Sequence, residues 1–238
     1  MSAPFVLVTG AWHGGWAWHP VAEHLRAAGH TVHTPTLPGL ADGDDRTRHS
    51  LSDVVRAIVE LVEREDLQDV TLVGHSWGGY PITGAAPALA SRLRKVVYWS
   101  AFVPAAGRSL HDEVPPQYQQ LFASLAEASG DNSVALPFEV WQAAFMNDAA
   151  EEAQRIVHSL MVPQPYQYFT EIVDPIEPDQ LGVPLAYVLS EHDVALPPGE
   201  YGWARFAERL GVPVQPAPGS HEACFTQPAG LAEAFLRA

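Results

Sequence analysis

The stretch Val70 to Tyr80 reads V-T-L-V-G-H-S-W-G-G-Y. A run of apolar β-formers stops at glycine, and one serine then stands between glycines before a helix-compatible segment. Small residues at these positions allow a sharp strand-to-helix turn and close approach of neighbouring backbone. Such a turn exposes the Ser76 hydroxyl at the carboxyl end of a sheet. It also sets it at a helix N-terminus, where backbone N–H groups favour developing negative charge.

The rest of the chain supplies the sheet this turn requires. Phe5 to Thr9, Thr31 to Thr34, Val70 to Val73, Lys95 to Ser100, Leu185 to Leu189 and Val212 to Gln215 read as strands. Helical spacing separates them: Ala17 to Ala28, a segment capped by Ser52, Trp77 to about Ala90, Gly199 to Leu210, and a last helix from Pro228. Alternating strands and helices predict an α/β fold, a mostly parallel sheet of about six strands covered on both faces. The alternation breaks near Pro104 and resumes near Leu185. Residues 1–103 and 181–238 are therefore read as the core, and 104–180 as a helical cap insertion.

A serine hydroxyl needs a base, and the base needs an orienting acid. With this turn the expected order is Ser, acid, His, each after a later strand. Ser190-Glu191-His192-Asp193 follows one strand and Pro218-Gly219-Ser220-His221 follows the last. Asp193 is the candidate acid, with Glu191 as its rival. His221 is the candidate base, and His192 follows the wrong strand. Backbone N–H groups of Trp77 and Ala11 are the candidate oxyanion hole. Ala11 belongs to the glycine-rich loop G-A-W-H-G-G-W after the first strand. His13 either lines the pocket or hydrogen-bonds within that loop.

Composition narrows the partners. The 238 residues carry a net charge of −15, which argues against nucleic acid and anionic membrane surfaces. No apolar run approaches the ~20 residues of a membrane span. The opening M-S-A-P-F-V-L-V-T-G reads as a first strand rather than a signal peptide. Cys224 is the single cysteine, which fits a reducing, cytoplasmic compartment. Among the 11 histidines no H-x-x-x-H pair lies on an expected helix, so neither metal nor cofactor is expected. The expected partner is a small-molecule substrate, with a homodimer left open.

These residues together resemble the α/β-hydrolase superfamily, and within it the small plant methylesterase and hydroxynitrile lyase branch with its bacterial relatives. The resemblance rests on F-V-L-V-T-G-A-W-H-G-G-W-A-W at Phe5 to Trp18, G-H-S-W-G-G at Gly74 to Gly79, E-H-D-V-A-L-P-P at Glu191 to Pro198 and G-S-H-E-A-C-F-T-Q-P at Gly219 to Pro228. It implies a Ser76–Asp193–His221 triad with Ala11 and Trp77 as the oxyanion hole. The lyases place threonine where Gly10 stands and lysine after the catalytic histidine. Glu222 has the opposite sign, which disfavours release of cyanide.

The expected function is cofactor-independent hydrolysis of a carboxylic ester or thioester through an acyl-enzyme. A non-hydrolytic enzyme of the same fold (cyclase, decarboxylase or lyase) and a weakly catalytic ligand-binding protein are the alternatives. The first-strand loop and cap are rich in aromatic residues, among them Trp12, Trp16, Tyr118, Phe122, Phe138, Trp141, Phe145, Tyr166, Tyr168 and Phe169. An apolar or aromatic substrate suits them. Gly10, Trp12, His13, Phe102, Trp141 and Phe145 are the expected pocket wall.

Overall fold

A computed structural model describes residues 3–238. Six parallel strands form one sheet: β1 (Phe5–Val8), β2 (Val32–His33), β3 (Val70–His75), β4 (Leu93–Trp99), and later β7 (Leu185–Ser190) and β8 (Val214–Ala217), in the order β2-β1-β3-β4-β7-β8. Both faces are covered. Val6, Val8, Leu72, Val96 and Tyr98 share one apolar cluster, while Phe5, Leu7, Val73, Val97 and Trp99 share the other. This is the two-residue period of a strand, in which successive side chains point to opposite faces. On the first face lie α2 (Leu51–Arg64) and α3 (Gly79–Leu89), through Val54, Ile58, Ile82 and Ala85. On the second lie α1 (His19–Ala27) and the last helix, Pro228–Arg237, through Val21, Leu25, Leu231 and Phe235.

Some boundaries differ from the sequence reading. The cap of α2 is Ser50, not Ser52. Ser50 Oγ accepts from the Asp53 N–H at 3.2 Å and Asp53 Oδ2 accepts from the Ser50 N–H at 2.8 Å. This reciprocal box satisfies two backbone donors, where Ser52 sits too late to do so. The helix placed at Gly199–Leu210 runs only from Ala204 to Leu210, because Pro197, Pro198, Gly199 and Gly202 interrupt its start. The last strand begins two residues late, after Gly211 turns the chain at φ 67° and Pro213 removes a donor.

Between β4 and β7 the chain leaves the sheet. It builds helices at Leu110–Glu113, Pro116–Ser129 and Glu151–Leu160, and an antiparallel ribbon of β5 (Ser133–Val134) and β6 (Gln164–Pro165). Buried Glu113 joins this insertion to the helix Ala204–Leu210. Its carboxylate lies 2.8 Å from Arg205, 3.2 Å from Arg209 and 3.1 Å from Arg108. No helix among the described residues is long and apolar enough to cross a membrane.

Candidate active site

Strand register assembles the site. Val8 pairs with Gly74, so the loop after β1 leaves the sheet beside the turn after β3. That is where the strand order reverses direction, the crevice at which open α/β sheets bind ligands. Ser190 pairs with Ala217, which sets the loop holding Asp193 beside the loop holding His221.

The turn after β3 is tight. A Cβ on Gly74 would lie 2.7 Å from the Gly78 carbonyl oxygen, and one on Gly78 would lie 2.5 Å from the Thr9 carbonyl oxygen. Ser76 itself adopts φ 51°, a left-handed conformation that costs a non-glycine residue free energy and that the surrounding packing sustains. It is 7 % exposed and faces a cavity.

His221 lines the same cavity. Its Nδ1 lies 2.7 Å from Asp193 Oδ2, with both side chains at most 1 % exposed. Asp193 Oδ1 accepts the Ala195 N–H at 2.9 Å, so the carboxylate is held at both oxygens. Glu191 and His192 are exposed. The imidazole is boxed by rings: Trp203 stacks on it at 5.2 Å, Phe145 meets it edge-on at 5.3 Å and His75 lies 4.6 Å away. Burial pushes the imidazolium down, but the Asp193 charge and hydrogen bond outweigh it, and the net direction is up.

Ala11 and Trp77 both line the cavity. The next residue along the loop, Trp12, is committed elsewhere. At φ 68° it donates its backbone N–H to Gln164 Oε1 at 2.9 Å, and its indole Nε1–H to the Val134 carbonyl at 2.8 Å. Both partners sit on the β5–β6 ribbon of the insertion.

The cavity is small, about 30 Å³ in volume. Phe102 closes it from the sheet, Ala195, Leu196 and Trp203 from the acid loop and the segment after it, and Leu110, Val114, Tyr118, Phe122, Phe145 and Phe169 from the insertion. Apart from Ser76, His221 and the Tyr118 hydroxyl the side-chain wall is apolar. Trp12, Phe102 and Phe145 thus stand where the pocket expectation put them, and three residues do not. Gly10 backs onto the elbow: a Cβ there would lie 2.8 Å from His75 Nδ1. His13 folds back on its own loop, its Nδ1 2.6 Å from the Ala11 carbonyl, and it is 1 % exposed. Trp141 lies one layer out, stacked on Phe145 with Nε1 donating to the Gln154 carbonyl.

Leu110, Val114, Ala195, Leu196 and Trp203 are wall residues the sequence reading did not single out. Ala195 and Leu196 follow Asp193 directly within D-V-A-L, so their place beside the acid was the available signal. Leu110 and Val114 bracket a short helix with no neighbouring motif.

Glu222, the residue after His221, stands behind the cavity rather than in its wall. It is 2 % exposed, does not line the cavity, and lies 3.9 Å from His13 Nε2. Burial pushes its carboxyl up to about 8. Among the described residues, His75, His221 and Glu222 are one trio of potential metal ligands whose atoms lie within 4.8 Å of one another, but His221 Nδ1 is already committed to Asp193.

Comparison with known proteins bears on the fold and family. A model of the alpha/beta hydrolase family matches residues 5–234. An extracellular alpha/beta-hydrolase from a Paenibacillus species, described as sharing structural and functional homology with tobacco Salicylic Acid Binding Protein 2, superposes with a TM-score of 0.94 at 30 % identity, over 99 % of this chain and 98 % of that one. A carbendazim hydrolyzing esterase of Nocardioides sp. is 47 % identical over 118 residues, 48 % of each chain. Methylesterase 4 of Arabidopsis thaliana is 38 % identical over 106 residues, 42 % of this chain and 40 % of its own length. The chain thus spans about half or less of these two curated relatives.

Proposed function

This chain belongs to the alpha/beta hydrolase family, and we propose that it is a serine esterase that cleaves a small carboxylic ester with an apolar or aromatic body. The observation that carries the reading is the 2.7 Å Asp193–His221 contact at the wall of a cavity that Ser76 also lines. Relatives named as esterases and methylesterases support it.

In this reading His221 Nε2 takes the Ser76 proton as Oγ attacks the ester carbonyl. Asp193 accepts from Nδ1–H, which fixes the tautomer and steadies the imidazolium. The N–H groups of Ala11 and Trp77 receive the developing oxyanion. The imidazolium returns its proton to the leaving alcohol, and a water deprotonated by His221 then splits the acyl-enzyme. Products are one acid and one alcohol, with no cofactor or metal in the sequence. The apolar wall contributes binding energy along the substrate body, roughly 25 cal/mol per Å² of apolar surface removed from water. The 104–180 segment acts as the cap that sets substrate shape. The single cysteine supports a cytoplasmic setting, and the acidity supports a small-molecule partner rather than nucleic acid or a membrane surface.

The test joins two measurements on one preparation. A fluorophosphonate should label Ser76, and a panel of nitrophenyl and aryl methyl esters should be hydrolysed. Ser76→Ala should abolish both while leaving the fold intact. Turnover surviving in that variant would end the covalent reading. Cyanide release from mandelonitrile exceeding ester cleavage would move the protein to the lyases.

A further inference from the structure

Glu222 follows the proposed base in sequence, yet its carboxyl faces away from the cavity. Around it stand His13 from the loop after β1, His75 at the end of β3, and His221 and Cys224 from its own loop. The charges of Asp193 and of Asp148, from the insertion, also bear on it. No lysine or arginine is paired with it among the described residues. A carboxylate this deeply buried without a cation is strongly disfavoured.

The histidines supply the complementary half. His13 Nδ1 points at the Ala11 carbonyl at 2.6 Å, so it must carry the ring hydrogen, and Nε2 is then a bare acceptor. That Nε2 is buried with no hydrogen-bond partner, and so is Nε2 of His75. A buried acceptor without a donor and a buried acid without a cation lie 3.9 Å apart, too far for a hydrogen bond as they stand, and the same carboxyl oxygen receives the Cys224 thiol at 3.6 Å.

We propose that Glu222 carries a proton in the resting protein and has His13 Nε2 as the acceptor for it, so that a neutral carboxyl, on closing the 3.9 Å gap, ties the loop of the proposed oxyanion hole to the loop of His221. Glu222 is thereby a positioning residue. It acts through His13 on the Ala11 peptide and, by staying uncharged, leaves Asp193 as the anion that governs His221. Burial acts in the same direction on both partners: it pushes Glu222 up to about 8 and His13 down to about 4, so between those values the proton resides on the carboxyl. Ionised Glu222 loses the donor to His13 and places a second negative charge near His221. That charge favours the imidazolium and makes the ring a less available base.

The inference rests on the esterase reading only for His221 as base; the proton on Glu222 is tested without activity. Infrared difference spectra of the wild-type protein between pH 6 and pH 9.5 should show loss of a protonated-carboxyl C=O band as pH rises, and Glu222→Gln should lack that band. In ester hydrolysis, the pH profile of kcat/KM should fall in wild type as Glu222 ionises near pH 8, and E222Q, whose amide still donates but cannot ionise, should stay level there. E222L, which cannot donate, should lose kcat at all pH values by about tenfold, the effect of a loosened oxyanion donor rather than a lost one. No protonated-carboxyl band at pH 6, or superimposable profiles for wild type and E222Q, would overturn the proposal. The infrared measurement on wild type decides the matter even if E222Q does not fold. Absence of fluorophosphonate labelling would instead strike the esterase reading and leave the spectral result standing.

Discussion

Two glutamates lie beneath the surface with nearly equal exposure, Glu113 at 1 % and Glu222 at 2 %, in opposite company. Glu113 is ringed by Arg108, Arg205 and Arg209. Glu222 is surrounded by imidazoles. Guanidinium groups are always cationic, so the first carboxylate sits in an ion cluster whose charges offset one another. Burial disfavours the charge on an imidazole as well as on a carboxyl, and His221 and the Cys224 thiol offset only part of the desolvation of Glu222, so its carboxyl is pushed up. Burial alone therefore does not decide what a carboxyl does; the basicity of its neighbours does. The arginine cluster fastens the insertion to the helix Ala204–Leu210, where strength is useful. The histidine cluster stands beside the proposed chemistry, where a full extra charge would disturb the base.

The comparison can be broken most sharply at the third buried carboxylate. Asp193 belongs to the histidine side but holds a direct hydrogen bond to His221. Asp193→Asn should reduce kcat by about 10⁴, by favouring the wrong imidazole tautomer. Glu191→Gln, at an exposed position, should change kcat little, and steady-state kinetics on one ester distinguishes the two. A larger loss from Glu191 would move the acid.

Next in size is Glu113→Gln. It leaves three arginines facing one another where a carboxylate stood. Breaking a fully buried pair costs about 3–5 kcal/mol. All three arginines are partly exposed, so water screens them and about 2 kcal/mol in a urea titration is the expected loss. KM should rise with it, because Leu110 on the same short helix and adjacent Val114 line the cavity.

Glu222→Gln should have an effect of another kind, confined to one range of pH. The native carboxyl keeps its proton up to about 8, while the unfolded chain loses it near the ordinary value of 4.5. The native state thus binds more protons across that window, and stability falls as pH rises through it. Thermal melts should show wild type losing ground to E222Q from pH 5 to pH 8. On the acid side the sign reverses. Burial holds His13 down to about 4 and His75 well below 6.5, so the unfolded state binds protons first and stability falls as pH drops below about 6.5. Parallel melting curves for wild type and E222Q across the alkaline window would remove the contrast with Glu113. Smallest of all is Arg108→Gln. Its guanidinium is 50 % exposed, so its contribution should stay within about 1 kcal/mol, against the larger loss from Glu113 itself.

The middle of the sheet was legible in the chain because β1 and β3 are buried on both sides: V-L-V and T-L-V are short runs of β-formers with no exposed face, and glycines follow them closely. The elbow was legible because Gly74 and Gly78 are needed at fixed offsets from Ser76, so steric demand is written in spacing. The placement of Asp193 and His221 in adjacent loops followed from strand order. The cavity wall was not legible. Trp141 and Phe145 are alike in kind and close in sequence, yet they lie on one wide helical turn where stacking sends Phe145 to the cavity and Trp141 behind it. Glu222 was legible as an acid beside His221, but its charge was not, since that depends on burial by Phe145, Cys224 and the loop after β1. Charge state belongs to tertiary packing, and no local pattern encodes it.

Trp12 has a consequence for engineering. Its backbone and indole N–H groups both end on the β5–β6 ribbon, on Gln164 and Val134, while the peptide before it belongs to Ala11. The segment that shapes the cavity and the loop beside the nucleophile are therefore not separable modules. A transplanted insertion from a relative brings new walls, but it also replaces the two acceptors that hold Trp12 in its left-handed turn. Chimeras that preserve a glutamine amide and a strand carbonyl at those two points should keep the rate of acylation while changing substrate preference. Chimeras that lose them should fail in chemistry even when the new cavity fits its substrate.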